Sequence, residues 1–251
     1  MVITKVEIFT AFRHLPRVVA HPALFFSYAK CGRVCALRKA VEISFLQLKR
    51  LDQDENRKFL CGEFHTLIGK MGGYSQECLY YIVKKYKPEI VVETGVYRGI
   101  SSAFILQALD ENGAGELYSI DLPLAKYATE DGSIAFSPLG NGEQTGFAIP
   151  DRLKRKWHLI LGDSRVELPK LLDRLGQIDL FYHDSQHTYE FMMWEYRTVF
   201  PHLKSGSLIT SDDISWNSAF KDFCKINNLE PIIVNGKFGF AKIFDKSAVQ
   251  V

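Results

Sequence analysis

The sequence predicts an α/β protein, a mostly parallel sheet with helices on both faces, and three observations predict it. From Ser75 onward, apolar runs of strand length alternate with stretches of helical periodicity. The runs are almost continuously apolar, as expected of strands buried on both faces. Their C-terminal ends carry Gly, Asp, Ser and His, and such strand ends are where open α/β sheets assemble ligand sites.

The expected elements follow in order. Leu79, Ile82, Val83 and Tyr86 share one helical face ahead of the strand Ile90–Thr94. Further strands are expected at Leu117–Ile120, His158–Leu161, Ile178–Tyr182 and Ser207–Thr210. Leu168, Leu171, Leu172 and Leu175 form a second helix face, and Tyr189, Met192, Met193, Tyr196, Phe200 and Leu203 a third. The methionine and aromatic stripe is read as core packing rather than a cofactor contact. Trp216, Phe220, Phe223 and Cys224 predict a last helix face before the apolar run Pro231–Val234. Asn235-Gly236, which tolerates the positive φ of a tight turn, predicts a hairpin into Lys237–Phe244 and hence an antiparallel end to the sheet.

Between Leu122 and Arg155 the chain is polar and rich in Gly and Pro, longer than ordinary connections in such folds. Residues 122–156 are therefore an insertion and a candidate lid. Tyr127, Phe136, Phe147 and Trp157 either line an acceptor pocket there or pin the lid.

Net charge is +2 over 251 residues, yet Met1 to Arg50 holds nine Lys/Arg against two Glu. Residues 1–74 are accordingly a basic, mainly helical appendage (lid, dimer or surface contact), and 75–251 the main domain. The apolar stretch Val18–Phe26 is broken by His21 and Pro22 and is too short for a membrane span. No clean signal-peptide cleavage site follows, so a cytoplasmic protein is expected. The five cysteines are odd in number and scattered, as expected of reduced thiols; Cys31 and Cys35 lack a second pair to complete a zinc site. Nearly balanced charge and the absence of a nucleic-acid motif speak against a nucleic-acid partner.

Chemistry concentrates at the strand ends. Glu93-Thr94-Gly95-Val96-Tyr97-Arg98-Gly99-Ile100-Ser101 passes from strand to helix, and the helix N-terminus offers unpaired N–H groups to a carboxylate or phosphate. It has neither the G-x-G-x-x-G spacing of dinucleotide enzymes nor a P-loop Lys. Asp121 ends the next strand, where an acid can accept ribose hydroxyls. Gly162-Asp163-Ser164 ends the third, where Asp163 either accepts from an adenine amino group or simply caps the following helix.

These three positions together resemble the cofactor motifs of class I S-adenosylmethionine-dependent methyltransferases, a Rossmann-like fold with a mostly parallel seven-stranded sheet and a C-terminal antiparallel hairpin. The resemblance spans most of the chain after Ser75. It implies that Glu93 and Gly95 flank the amino-acid end of the cofactor, with Gly99 and Ser101 in the same loop. It places Asp121 at the ribose, Asp163 with Ser164 at the adenine, and Asp184 also against the cofactor.

The stretch Phe181-Tyr182-His183-Asp184-Ser185-Gln186-His187 and, on the next strand end, Ser211-Asp212-Asp213 bring three carboxylates together. Such a group needs a proton or cation to offset repulsion, and oxygen donors favour Mg²⁺ or a similar hard ion. The pattern resembles metal-dependent O-methyltransferases of the catechol and macrolide-sugar types. That resemblance implies Asp184, Asp212 and Asp213 as metal ligands, with His187 standing where the catechol type carries a basic Lys. His187 and Asp184 are the catalytic candidates, and a small-molecule or sugar hydroxyl is the expected acceptor. The bland alternative makes Asp184 and His187 caps of the helix near Thr188, and Asp212 and Asp213 caps of the helix containing Phe220.

Two other functions stay open on the sequence. His183, Asp184 and His187 also read as the ligand cluster of a metal-dependent hydrolase or oxygenase. A catalytically silent scaffold, touching a membrane surface or a second copy through the basic segment with Phe25, Phe26 and Tyr28, is the third reading.

Overall fold

The computed structural model describes residues 75–122, 139, 143–234 and 236–244. The expected appendage 1–74, Tyr127 and Phe136 of the insertion, and Asn235 of the expected turn lie outside the described residues.

Helix α1 (Ser75–Tyr86) leads into β1 (Ile90–Thr94), α2 (Ile100–Asn112) and β2 (Glu116–Asp121). A 3₁₀ turn at Asp151–Lys156 precedes β3 (Trp157–Leu161), α3 (Ser164–Leu175), β4 (Ile178–His183) and α4 (Tyr189–Val199). Then come β5 (Leu203–Ser211), α5 (Ala219–Ile226), β6 (Pro231–Val234) and β7 (Phe238–Lys242). The seven strands run in the order β3-β2-β1-β4-β5-β7-β6. The first five are parallel, and β7 is antiparallel to both β5 and β6, as the hairpin signal predicts. Gly236 in that turn has φ +69°.

Side chains alternate between two cores, one on each face of the sheet. Leu180 and Tyr182 pack with α1, α2 and Phe147–Leu153, whereas Phe181 packs with α3, α4 and α5. Nothing of Phe181 is exposed, and burying such a ring contributes about 1.5–3 kcal/mol. Helix α2 is buried without a break from Ser101 to Leu109, so it carries no polar face to announce itself as amphipathic.

Two helix expectations are corrected. The α4 stripe does not run on as helix through Phe200 to Leu203: Pro201, lacking an N–H, sits in a 3₁₀ turn at Phe200–His202, and Leu203 begins β5. Trp216 is not on the α5 face. That helix starts at Ala219, whose N–H is held by Asn217 Oδ1 at 2.8 Å, and Trp216 stands in the preceding loop, 56% exposed.

The described part of the insertion packs inward. Phe147, Ala148, Ile149 and Leu153 are core residues, and the Trp157 indole donates to Ser119 Oγ at 2.9 Å while covering Gly146. Among the described residues no helix is long and apolar enough to cross a membrane.

Candidate active site

The strand order reverses at β1, with β2 and β3 on one side and β4 and β5 on the other. Ligands of open α/β sheets bind at such a switch point, outside the carboxyl ends of the strands. Gly95, Asp121, Gly162, Asp184 and Asp212 each follow or end one of these strands.

At the end of β1 the chain turns sharply. Gly95, Tyr97 and Gly99 all take positive φ (85°, 51° and 81°), and Gly99 is the left-handed N-cap of α2. What requires glycine here is the protein itself. A Cβ on Gly95 would lie 2.0 Å from the Asp184 carbonyl oxygen, and one on Gly99 2.7 Å from Gly146 Cα. Asp121 braces the loop: Oδ1 accepts from the Val96 and Tyr97 N–H groups (2.9 and 3.3 Å), and Oδ2 from Thr145 Oγ at 2.9 Å. Burial raises the pKa of Asp121 despite these donors.

Glu93 lies inside the sheet rather than at its surface. It is wholly buried and accepts from Ser101, Ser102 and Ser119 hydroxyls at 2.6 to 2.7 Å. Burial pushes its carboxyl up to about 7, against the pull of the three donors. Ser101 is committed to Glu93, so both meet the crevice only through the backbone they hold.

At the end of β3, Asp163 is exposed and is the N-cap of α3, Oδ1 accepting from the Arg165 N–H at 2.8 Å. Among the described residues the second carboxylate oxygen, Oδ2, accepts no hydrogen bond. Ser164 is buried and donates to Glu195 at 2.9 Å.

The capping alternative fails at the next two strand ends. Helix α4 is capped by Thr188, which accepts from the Phe191 N–H, not by Asp184 or His187. Helix α5 begins at Ala219, its first N–H held by Asn217, without help from Asp212 or Asp213. These residues instead face one another. His187 Nε2 is 3.6 Å from Asp184 Oδ1 and 4.0 Å from Asp213 Oδ2. Asp212 Oδ1 accepts from Ser75 and from the Asp213 N–H, and Asp213 takes a left-handed φ of 47°.

Charge sets the protonation of this group. Burial, with Asp212 and Glu93 nearby, pushes Asp184 up to about 7, although His187 pulls it down. Burial alone would lower the pKa of His187; the carboxylates of Asp184, Asp213 and Asp212 outweigh it and the net shift is upward. Among the described residues no three His, Cys, Asp or Glu side chains are grouped to hold a metal ion. The donor chemistry of Asp184, Asp212 and Asp213 suits a hard divalent cation, but their arrangement, with His187 facing two of them, does not fit one.

The sequence reading missed two neighbours. Trp216 lies with its ring centroid 5.1 Å from that of His187. Its helical spacing with Phe220 pointed to the core, and only the loop places it at the site. Glu195 is the second. It accepts from His183 Nδ1 at 2.6 Å and from the Thr94, Ser164 and Ser185 hydroxyls. A signal existed: Glu195 falls four residues after Phe191 and four before Val199, on the buried face of α4. His183 is thus a wholly buried histidine on a central strand, held by Glu195 rather than by Asp184.

A mostly parallel seven-stranded sheet in this order, closed by an antiparallel pair, has the Rossmann-like fold of class I methyltransferases. Residues 92–214 match the family described as a methyltransferase domain. Among solved structures, the calicheamicin methyltransferase CalS11 aligns with a TM-score of 0.52 at 16% identity, over 98% of this chain and 95% of that one. The O-methyltransferase TomG from Streptomyces achromogenes, solved with S-adenosylmethionine, aligns at 0.48 with 12% identity, over 68% and 79%. The Podospora anserina methyltransferase PaMTH1, bound to S-adenosylhomocysteine, aligns at 0.47 with 13% identity, over 68% and 79%. No curated protein sequence matches the chain.

Proposed function

We propose that this protein transfers a methyl group from S-adenosylmethionine to a hydroxyl oxygen of a small-molecule or sugar acceptor. The observation that carries the reading is His187, an imidazole set at the crevice between Asp184 and the half-exposed ring of Trp216. The cofactor supplies an electrophilic methyl on a sulfonium.

The rest is the work of this chain's residues. The Gly95–Gly99 turn, supported from beneath by Glu93 and Ser101, presents the α2 N-terminus to the carboxylate of the amino-acid end. Asp121 takes the ribose side, and Asp163 with Ser164 the adenine side. Asp184 lies beside the methyl donor and holds His187. As the acceptor oxygen bonds to the methyl carbon and the sulfur–carbon bond breaks, His187 Nε2 takes the hydroxyl proton, and Asp184 stabilises the imidazolium.

A second reading adds a divalent cation such as Mg²⁺ on Asp184, Asp212 and Asp213. The oxygen donors on neighbouring strand ends support it, and it requires those carboxylates to turn toward one another. We further place the protein in the cytoplasm, take 75–251 as the catalytic domain, and take 1–74 as an appendage that covers the acceptor, pairs two copies or touches a membrane surface.

Calorimetric titration of S-adenosylhomocysteine into wild type and Asp121→Ala, with and without Mg²⁺, tests the cofactor site. Binding by wild type and its loss in the variant supports it, and no binding by folded wild type with Mg²⁺ present overturns it. Transfer of radiolabelled methyl to a panel of hydroxylated acceptors then tests the reaction. Transfer that survives EDTA removes the second reading.

A further inference from the structure

Helix α4 buries a carboxylate among Met192, Met193 and Tyr196. Glu195 is 0% exposed, and an acid there is costly unless several donors converge on it. Four do. Thr94 Oγ1 and His183 Nδ1 meet Oε2 at 2.7 and 2.6 Å, and the Ser164 and Ser185 hydroxyls meet Oε1 at 2.9 and 3.0 Å.

The donors come from three separate strand ends, and each adjoins a residue given a task at the crevice. Thr94 precedes Gly95, Ser164 follows Asp163, and His183 and Ser185 bracket Asp184. No other described carboxylate is bonded to all three segments. An apolar side chain at 195 could fill the space but could not link these segments to one another.

We infer that Glu195 is a positioning residue: one buried carboxylate that joins the ends of β1, β3 and β4 and so sets the spacing of the cofactor crevice. The inference rests on the methyltransferase reading above. Glu195 touches no reactant. It acts through Gly95, Asp163 and Asp184, and its loss releases all three at once.

The experiment is calorimetric binding of S-adenosylhomocysteine to wild type, Glu195→Gln, Thr94→Val and Met193→Ala, with thermal unfolding of each. Met193 lies on the same buried face and serves as the control for destabilisation alone. Glu195→Gln is expected to weaken binding on the order of tenfold, as loss of a supporting partner does at other preorganised sites. Thr94→Val should weaken it less, and Met193→Ala should bind as wild type despite a comparable fall in melting temperature. Wild-type affinity in Glu195→Gln, or an equal loss in Met193→Ala, overturns the inference. If Glu195→Gln does not fold, Thr94→Val decides: weaker binding supports the inference, unchanged binding overturns it. Wild type that binds no S-adenosylhomocysteine overturns the methyltransferase reading and this inference with it, whereas failure in the variants alone leaves that reading standing.

Discussion

Gly95 and Asp184 meet backbone to backbone across the switch point. A Cβ on Gly95 would stand 2.0 Å from the Asp184 carbonyl oxygen, and the Asp184 N–H donates to the Thr94 carbonyl at 2.8 Å. The turn after β1 and the residue that faces His187 are therefore one joint. Gly95→Ala must move that joint and also strain a φ of 85°. Urea unfolding should show a loss of about 3 kcal/mol, with weakened S-adenosylhomocysteine binding in the folded fraction. An alanine variant as stable as wild type would mean that the contact is looser than described.

Glu93 makes stability depend on pH. Its carboxyl, ordinarily near 4.5, is pushed up to about 7 by burial, so the folded protein keeps a proton that the unfolded chain has released. Its contribution is complete below about pH 4.5 and is lost as pH rises through about 7. Glu93→Gln cannot titrate. The stability of wild type relative to this variant should fall steadily across that window in urea titrations at successive pH values. Parallel curves would remove Glu93 as the cause.

His187→Asn should keep S-adenosylhomocysteine affinity and lose methyl transfer by about 10²- to 10⁴-fold, the usual range for a general base. In wild type the rate should rise with pH as His187 gives up its proton, at a pH above the ordinary imidazole range because Asp184 holds that proton. Asp184→Asn should move this rise to lower pH. A rise that stays in place assigns the titration to another group.

Trp216→Ala should raise the KM for the acceptor by about tenfold while changing stability by no more than about 0.5 kcal/mol, as expected of an exposed side chain outside the core. Cofactor affinity should not change. A loss of several kcal/mol would return Trp216 to the core that its spacing first indicated.

Much of this was legible in the linear chain. The five parallel strands were readable because strands buried on both faces leave continuous apolar runs, and Asn235-Gly236 announced the hairpin through turn chemistry. Element ends were less legible: Leu203 reads as the last residue of a helix stripe because its period agrees, until Pro201 ends the helix. Asp121, Asp163, Asp184, His187, Asp212 and Asp213 stand out as candidates by their places after strands. What each side chain holds was not readable. Asp121 braces its own loop and Thr145, Glu93 turns inward to three serines, and Glu195 draws four donors to the buried face of its helix.

The sequence by itself determined the α/β class, the order of elements and the gathering of polar residues at strand ends, because periodicity and turn chemistry act between near neighbours. Only the tertiary structure decided that Gly95 is glycine on account of Asp184, that Glu195 gathers Thr94, Ser164, His183 and Ser185, and that Trp216 leaves the core to stand beside His187. Those contacts join residues up to 101 positions apart, and a distance set by sheet order and strand register leaves no trace in local spacing.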